Sequence, residues 1–278
     1  MPLFETAALA LLLGITEFLP VPASAHLVLA SEFLGWDAPS AGLLFAVHLG
    51  ALFALVSYYL ADLVKIAGYT IESVARKKAG PVAKIGYCLI LATIPAAAAW
   101  LAFGERAYSF INAARVIAWA SIGSGVLLWL SSYVNRHLVW RNILNIEGER
   151  HDSLRHVSVQ QALVIGFAQA IALVPGTSRS GITLTAGLFM GLRPEAAARF
   201  SFLLGIPALC ALMVPEWIQL RSPSDASQAW PELLFAGIIA FFASLGSIHL
   251  FLKYAFKSGM GLFAAYKIIL GACLLAFI

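Results

Sequence analysis

Pro175-Gly176-Thr177-Ser178-Arg179-Ser180-Gly181 places three hydroxyls and a guanidinium on a glycine-flanked turn between two strongly apolar segments. Of its 278 residues 61% are apolar and 12% charged, far from the roughly 45–50% and 25% of soluble domains. Mean hydropathy is +0.87. The chain therefore reads as a polytopic membrane protein, in which a buried arginine costs about 3 kcal/mol or more unless it faces a cavity or a partner. Arg179 marks a functional site, and the hydroxyl-rich turn around it suits an anion such as phosphate.

Working outward, apolar runs at about 41–60, 85–103, 114–133, 200–218, 232–252 and 262–278 each approach the roughly 20 residues a helix needs to cross hydrocarbon. Two further regions, about 2–34 and 158–192, are apolar but interrupted, the first by Pro20 and Pro22, the second by Pro175, Gly176 and Gly181. A break of this kind frees backbone groups that lipid cannot satisfy, so it must be enclosed by protein or trapped water. The expected fold is all-α, with about six transmembrane helices and two re-entrant helix-turn-helix hairpins in one membrane domain over residues 1–278. Complete crossing by one or both broken regions is the alternative.

The charge pattern orients this arrangement. With two re-entrant hairpins, the loops at 61–84, 134–157, 193–199 and 253–261 share one side. That side carries Lys65, Arg76, Lys77, Lys78, Lys84, Arg136, Arg141, Arg150, Arg155, Arg193, Arg199, Lys253 and Lys257, against Arg106, Arg115 and Arg221 opposite. The basic side is cytoplasmic by the positive-inside rule, and both termini face outward. The formal charge of +4 is thus a matter of orientation and does not imply nucleic-acid binding. No Lys or Arg precedes the first apolar run, which is expected to be retained rather than cleaved as a signal peptide. The three cysteines stand singly in apolar runs and read as small buried hydrophobes.

The two interrupted regions resemble each other. Gly14-Ile15-Thr16-Glu17, followed by Pro20, Ser24 and His26, echoes Gly166-Phe167-Ala168-Gln169, followed by Pro175, Ser178 and Arg179; Phe45 to Gly50 likewise echoes Phe200 to Gly205. Such correspondence predicts an inverted repeat, here about 2–103 and 158–252, with a binding site at the repeat interface.

Counted from Leu3, a helix would carry Glu17 roughly 20 Å into the membrane, so Glu17 needs a cation or a donor and Arg179 is the candidate. A purely structural pair is the plain alternative. His26 is a candidate general acid or base, Ser178, Ser180 and Thr183 are hydroxyl donors beside Arg179, and the segment after Gly181 is expected to open a helix whose N-terminus favours anions. His48 is a supporting candidate, for which an interhelical hydrogen bond serves equally. Trp36, Trp217 and Trp230 near span ends read as interfacial anchors.

Thr16-Glu17-Phe18-Leu19-Pro20-Val21 through His26, together with Pro175 to Thr183, resembles the undecaprenyl-diphosphatase family linked to bacitracin resistance. The similarity extends through Gly187, Met190-Gly191 and Arg199 to Leu204. It implies an inner-membrane enzyme that removes the terminal phosphate of undecaprenyl diphosphate, regenerating the lipid carrier for cell-wall synthesis, with a divalent cation, Mg2+ or Ca2+. Carried onto this chain, it implies catalytic roles for Glu17, His26 and Arg179, with Glu17 also a metal ligand. Ser24, Gln169, Thr177, Ser178, Ser180 and Thr183 become substrate-binding residues. The resemblance departs at Leu13, where the family usually has a second acidic residue, and at Pro22-Ala23, where it has a Ser-Ser pair. Ser24, or a water activated by Glu17 or His26, is then left as the attacking group. A non-hydrolytic polyprenyl-phosphate translocase or binding protein is the main alternative, and an ion-coupled transporter of a soluble anion a weaker one. The expected partners are the polyprenyl diphosphate and membrane lipid, with a homodimer left open.

Overall fold

The computed structural model describes residues 1–78, 80–111, 114–139, 154, 157–220, 230–255 and 259–278, excluding the side chains of 104–111 and 138–139. Among these residues there are ten helices and no strand: α1 (Leu3–Thr16), α2 (Ala23–Leu34), α3 (Ala41–Arg76), α4 (Pro81–Ile111), α5 (Ala114–Val134), α6 (Val159–Ile171), α7 (Arg179–Phe189), α8 (Pro194–Leu220), α9 (Trp230–Leu250) and α10 (Gly261–Phe277). Short π-helical turns, Asn135–Val139 and Phe251–Ala255, extend α5 and α9. The chain is an all-α polytopic membrane protein.

Helices α3, α4, α5, α8 and α9 are long and apolar enough to cross a bilayer. The sixth expected span, α10, has 17 residues, about 26 Å at 1.5 Å per residue and slightly short of a hydrocarbon core of about 30 Å. Another departure concerns the expected loop at 61–84. Instead, α3 runs on to Arg76 as a helix of 36 residues, about 54 Å long. Past the apolar stretch its turns carry polar groups, including a Glu72–Arg76 ion pair of 2.7 Å one turn apart, and Lys77 ends the helix in the left-handed region at φ 51°. Hydropathy marks where the membrane stops; helical hydrogen bonding need not stop there. Of the basic residues that orient the chain, Arg141, Arg150, Arg155, Arg221 and Lys257, and the side chain of Arg106, lie outside the described residues.

Both interrupted regions are helix-turn-helix pairs. Helices α1, α2, α6 and α7 have 14, 12, 13 and 11 residues, none of them long enough to span hydrocarbon alone. Neighbouring helices take up the backbone groups that the breaks free. On α9, Ser244 and Ser247 donate to the carbonyls of Gly14 (3.0 Å) and Ile15 (2.9 Å) in the last turn of α1. Asn135, past the end of α5, donates to Leu188 O (2.7 Å) and Leu192 O (3.1 Å) at the end of α7. Ser158 and Gln161 close a reciprocal capping box at the start of α6.

The packing of the hairpins is reciprocal. Helix α1 lies on α9 and α6 lies on α4, each through a glycine: a Cβ at Gly14 would stand 2.9 Å from Ala240 O, and one at Gly166 2.4 Å from Ala92 O. Helices α3 and α8 pack together, as do α5 and α10. The main core lies among α3, α4, α6, α7 and α8, where Phe18 from the first turn stacks edge-on against Phe202 at 5.6 Å. The two breaks therefore meet inside the bundle.

Candidate functional site

The second turn is built by its own sequence. Thr177 N–H donates to Val174 O at 3.2 Å across Pro175-Gly176, the pattern in which proline presets the first central residue and glycine the second. Gly176 has φ +92°, and a Cβ there would lie 2.2 Å from Ile117 O. Ser178 also takes a positive φ, 64°, an uncommon state for a non-glycine residue that concentrates at ligand sites. Its Oγ accepts from Gly181 N–H at 3.2 Å and lies 3.3 Å from Ser180 Oγ. Helix α7 thus begins at Arg179, three residues before the expected start after Gly181, because the Ser178 hydroxyl caps it.

Three contacts clamp the turns together. Ser24 Oγ accepts from Gly176 N–H at 2.8 Å, Ser180 Oγ donates to Leu19 O at 2.7 Å, and Arg179 Nη2 donates to Glu17 Oε1 at 3.2 Å. The Glu17 and Arg179 side chains are 15% and 11% exposed, so the expected pairing at depth is present. Arg179 Nη1 reaches Ser201 O at 3.4 Å, while Nε is buried with no protein partner. Space for the guanidinium comes from Gly205, where a Cβ would stand 2.7 Å from Nη1. Thr183 is fully buried, donates to Arg179 O at 2.8 Å and bonds Ser201 Oγ at 2.6 Å; it braces the arginine from behind. Gln169 is 4% exposed and its Oε1 has no partner. Together with Arg179 it lines a mainly apolar cavity.

His26 is held elsewhere. Its Nδ1 lies 2.8 Å from Pro22 O and must carry the proton, since a carbonyl only accepts; Nε2 then accepts from the Tyr266 hydroxyl at 2.5 Å. The expected sharing of the turn with Glu17 takes the form of adjacency along the chain, with no bond between the two side chains. His48 makes the interhelical bond that its alternative reading predicted, with Nδ1 2.8 Å from Glu216 Oε1 across α3 and α8.

Lys267, Tyr266, Ser201 and Glu216 are site residues that sequence reasoning did not assign. Lys267 on α10 is fully buried, and its Nζ donates to Thr177 O at 2.8 Å. A Cβ at Gly181 would lie 3.2 Å from that amine, which places it at the start of α7. Adjacent residues of α10 therefore reach both hairpins, Tyr266 the first and Lys267 the second. A lysine in mid-helix among apolar residues was the available signal.

A buried guanidinium with a spare N–H, a buried lysine amine, hydroxyls and a helix N-terminus converge where two broken hairpins meet. Residues 6–273 match the protein family described as Bacitracin resistance protein BacA. The chain belongs to the BacA family. It is similar to a protein named undecaprenyl-diphosphatase from Hahella chejuensis, 39% identical over 99% of this chain and 97% of the relative. Relatives with the same name from Marinobacter nauticus (36% identical, 99% of this chain and 99% of the relative) and Aliivibrio salmonicida (39%, 100% and 99%) match to the same extent. In this BacA-family chain the first hairpin carries two of its departures on one apolar cluster. Leu13 is buried in an apolar cluster with Leu9, Val47 and Ala240, and Ala23 packs at the edge of that cluster as the first residue of α2.

Proposed function

We propose that this protein hydrolyses undecaprenyl diphosphate to undecaprenyl phosphate and inorganic phosphate. The observation that carries the reading is Arg179, held between Glu17 and Ser201 where the two breaks meet, with Nε unpartnered. A phosphate oxygen satisfies such a donor, and fixed cations aimed at a transferring phosphoryl group stabilise the charge that builds in the transition state. Lys267 and the first turn of α7 add donors on the other side of Ser178. An oxygen nucleophile attacks the terminal phosphorus, the anhydride P–O bond breaks, and the lipid phosphate leaves with its charge held by these groups. Glu17 orients the guanidinium. The lone pair that Ser24 Oγ gives to Gly176 N–H favours water over Ser24 as the attacking group, and His26 takes up a proton at Nε2 when Tyr266 yields that position.

Among the described residues no three His, Cys, Asp or Glu side chains gather as a metal-binding group. Glu17 alone suits a divalent cation that enters on the diphosphate and keeps waters in its shell, as Mg2+ commonly does. Mg2+ or Ca2+ held in this way would neutralise phosphate charge. We infer a bacterial inner-membrane location with both termini outward, an orientation that the distribution of Lys and Arg supports. The reciprocal packing through Gly14 and Gly166 supports an inverted repeat. The translocase alternative gains nothing from the relatives, whose name is that of a hydrolase.

The test is phosphate release from undecaprenyl diphosphate by purified protein in detergent, with Mg2+ or Ca2+ supplied. Release by the wild type and its abolition in Arg179→Ala are expected. No release under either cation would sink the reading.

A further inference from the structure

A cavity of about 370 Å³ lies between α4, α6 and α8, with Arg179 and Gln169 in its lining. Apart from Thr93 its other walls are apolar, with small residues such as Ala96, Ala97, Ala208 and Ala211 among them. Pro95 lies within α4 beside the lining, and Pro207 of α8 is part of the lining itself; a proline inside a helix deletes a backbone bond and loosens the local turn. A second groove, about 520 Å³ between α3 and α9, is lined by apolar residues apart from Ser57. Its two helices touch directly, since a Cβ at Gly50 would meet Gly237 O at 2.2 Å. Of the two, only the first brings hydrocarbon walls together with a guanidinium and a carboxamide, those of Arg179 and Gln169.

That combination specifies its occupant. A mainly apolar space whose lining includes a guanidinium complements an amphiphile with one hydrocarbon chain and an anionic head. We propose that the α4–α6–α8 cavity is the subsite for the first isoprene units of the substrate chain, with Gln169 at the junction between chain and diphosphate. The proposal rests on the hydrolase reading above and extends it to how the chain is held. Small alanine walls accept the methyl branches of a prenyl chain. Each methylene fitted or excluded by such a wall changes discrimination about 10- to 200-fold.

Two measurements test it. In unmodified protein, a C15 prenyl diphosphate bearing a diazirine in its first isoprene units should label residues 96–101 of α4 and 207–214 of α8, and excess unlabelled C55 diphosphate should suppress that labelling. Labelling confined to the α3–α9 groove overturns the proposal. So does equal labelling of the cavity by a diazirine phosphatidylglycerol that the diphosphate fails to displace. In kinetics, Ala97→Trp and Ala208→Trp fill the cavity and should raise KM for the C15 diphosphate at least about tenfold, with kcat within about twofold. Leu234→Trp in the other groove should change neither, and methyl diphosphate, if hydrolysed, should be handled alike by all variants. Wild-type KM in both filled variants overturns the subsite, as does equal loss on both substrates. Failure of the wild type to release phosphate from any diphosphate sinks the underlying reading and leaves the labelling result interpretable.

Discussion

Replacing Lys267 with Met separates a charge that binds phosphate from a strut that merely holds the turn. The two side chains are similar in length, so packing around α10 is largely retained. The lysine is fully buried and makes a 2.8 Å bond to Thr177 O. Losing it leaves a buried carbonyl short of a donor, at about 1–3 kcal/mol. Against this, the substitution removes the desolvation penalty of a buried amine, several kcal/mol when charged. The two terms oppose each other and are of similar size, so the unfolding temperature in detergent should move by only a few degrees. Catalysis has no such compensation. An anion beside the amine favours its charged form, and removing one donor from a developing oxyanion costs about 10²–10³ in turnover, or about 2.7–4 kcal/mol. The assay pairs phosphate release at saturating undecaprenyl diphosphate with thermal unfolding followed by tryptophan fluorescence. Turnover should fall by about two orders of magnitude with stability nearly unchanged, and Lys267→Arg should recover part of it. Unchanged turnover in Lys267→Met, or a loss that tracks a large fall in unfolding temperature, would refute a role for the charge.

Gly176→Ala should destabilise the protein by more than about 2 kcal/mol, read as loss of thermal stability and of folded yield, because the φ of +92° is strained for alanine and its Cβ would meet Ile117 O at 2.2 Å. Ser24→Ala removes the acceptor for Gly176 N–H and should cost about 1–3 kcal/mol of stability while turnover falls less than about tenfold; complete loss of phosphate release in a folded variant would make Ser24 the attacking group and overturn the assignment to water.

The legibility of the site varied with the kind of signal. Arg179, Ser178 and Ser180 could be read from sequence because a charge and hydroxyls flanked by glycine and proline cannot sit in lipid without a purpose. Glu17 could be paired with Arg179 because both breaks had to be enclosed together. Ser201 escaped notice because it contributes a backbone carbonyl to Arg179, and any residue type has one. Glu216 lay among residues near a span end, where a carboxylate usually meets water; it became a buried partner only through the packing of α3 on α8. His26 was recognised as a candidate acid or base, but its partner Tyr266 lies 240 residues away. No spacing rule connects such a pair.

By itself the sequence determined that the chain is an all-α membrane protein with two interrupted helices and a phosphate-type turn, since hydropathy, proline and glycine act locally and need no knowledge of neighbours. Only the tertiary structure decided which groups meet at that turn. Ser24 against Gly176, Lys267 against Thr177, and the cavity lined by Arg179 and Gln169 each depend on helices far apart in the chain being brought together. Backbone groups freed by a break must find partners inside the bundle, and which partners they find depends on which helices pack beside the break.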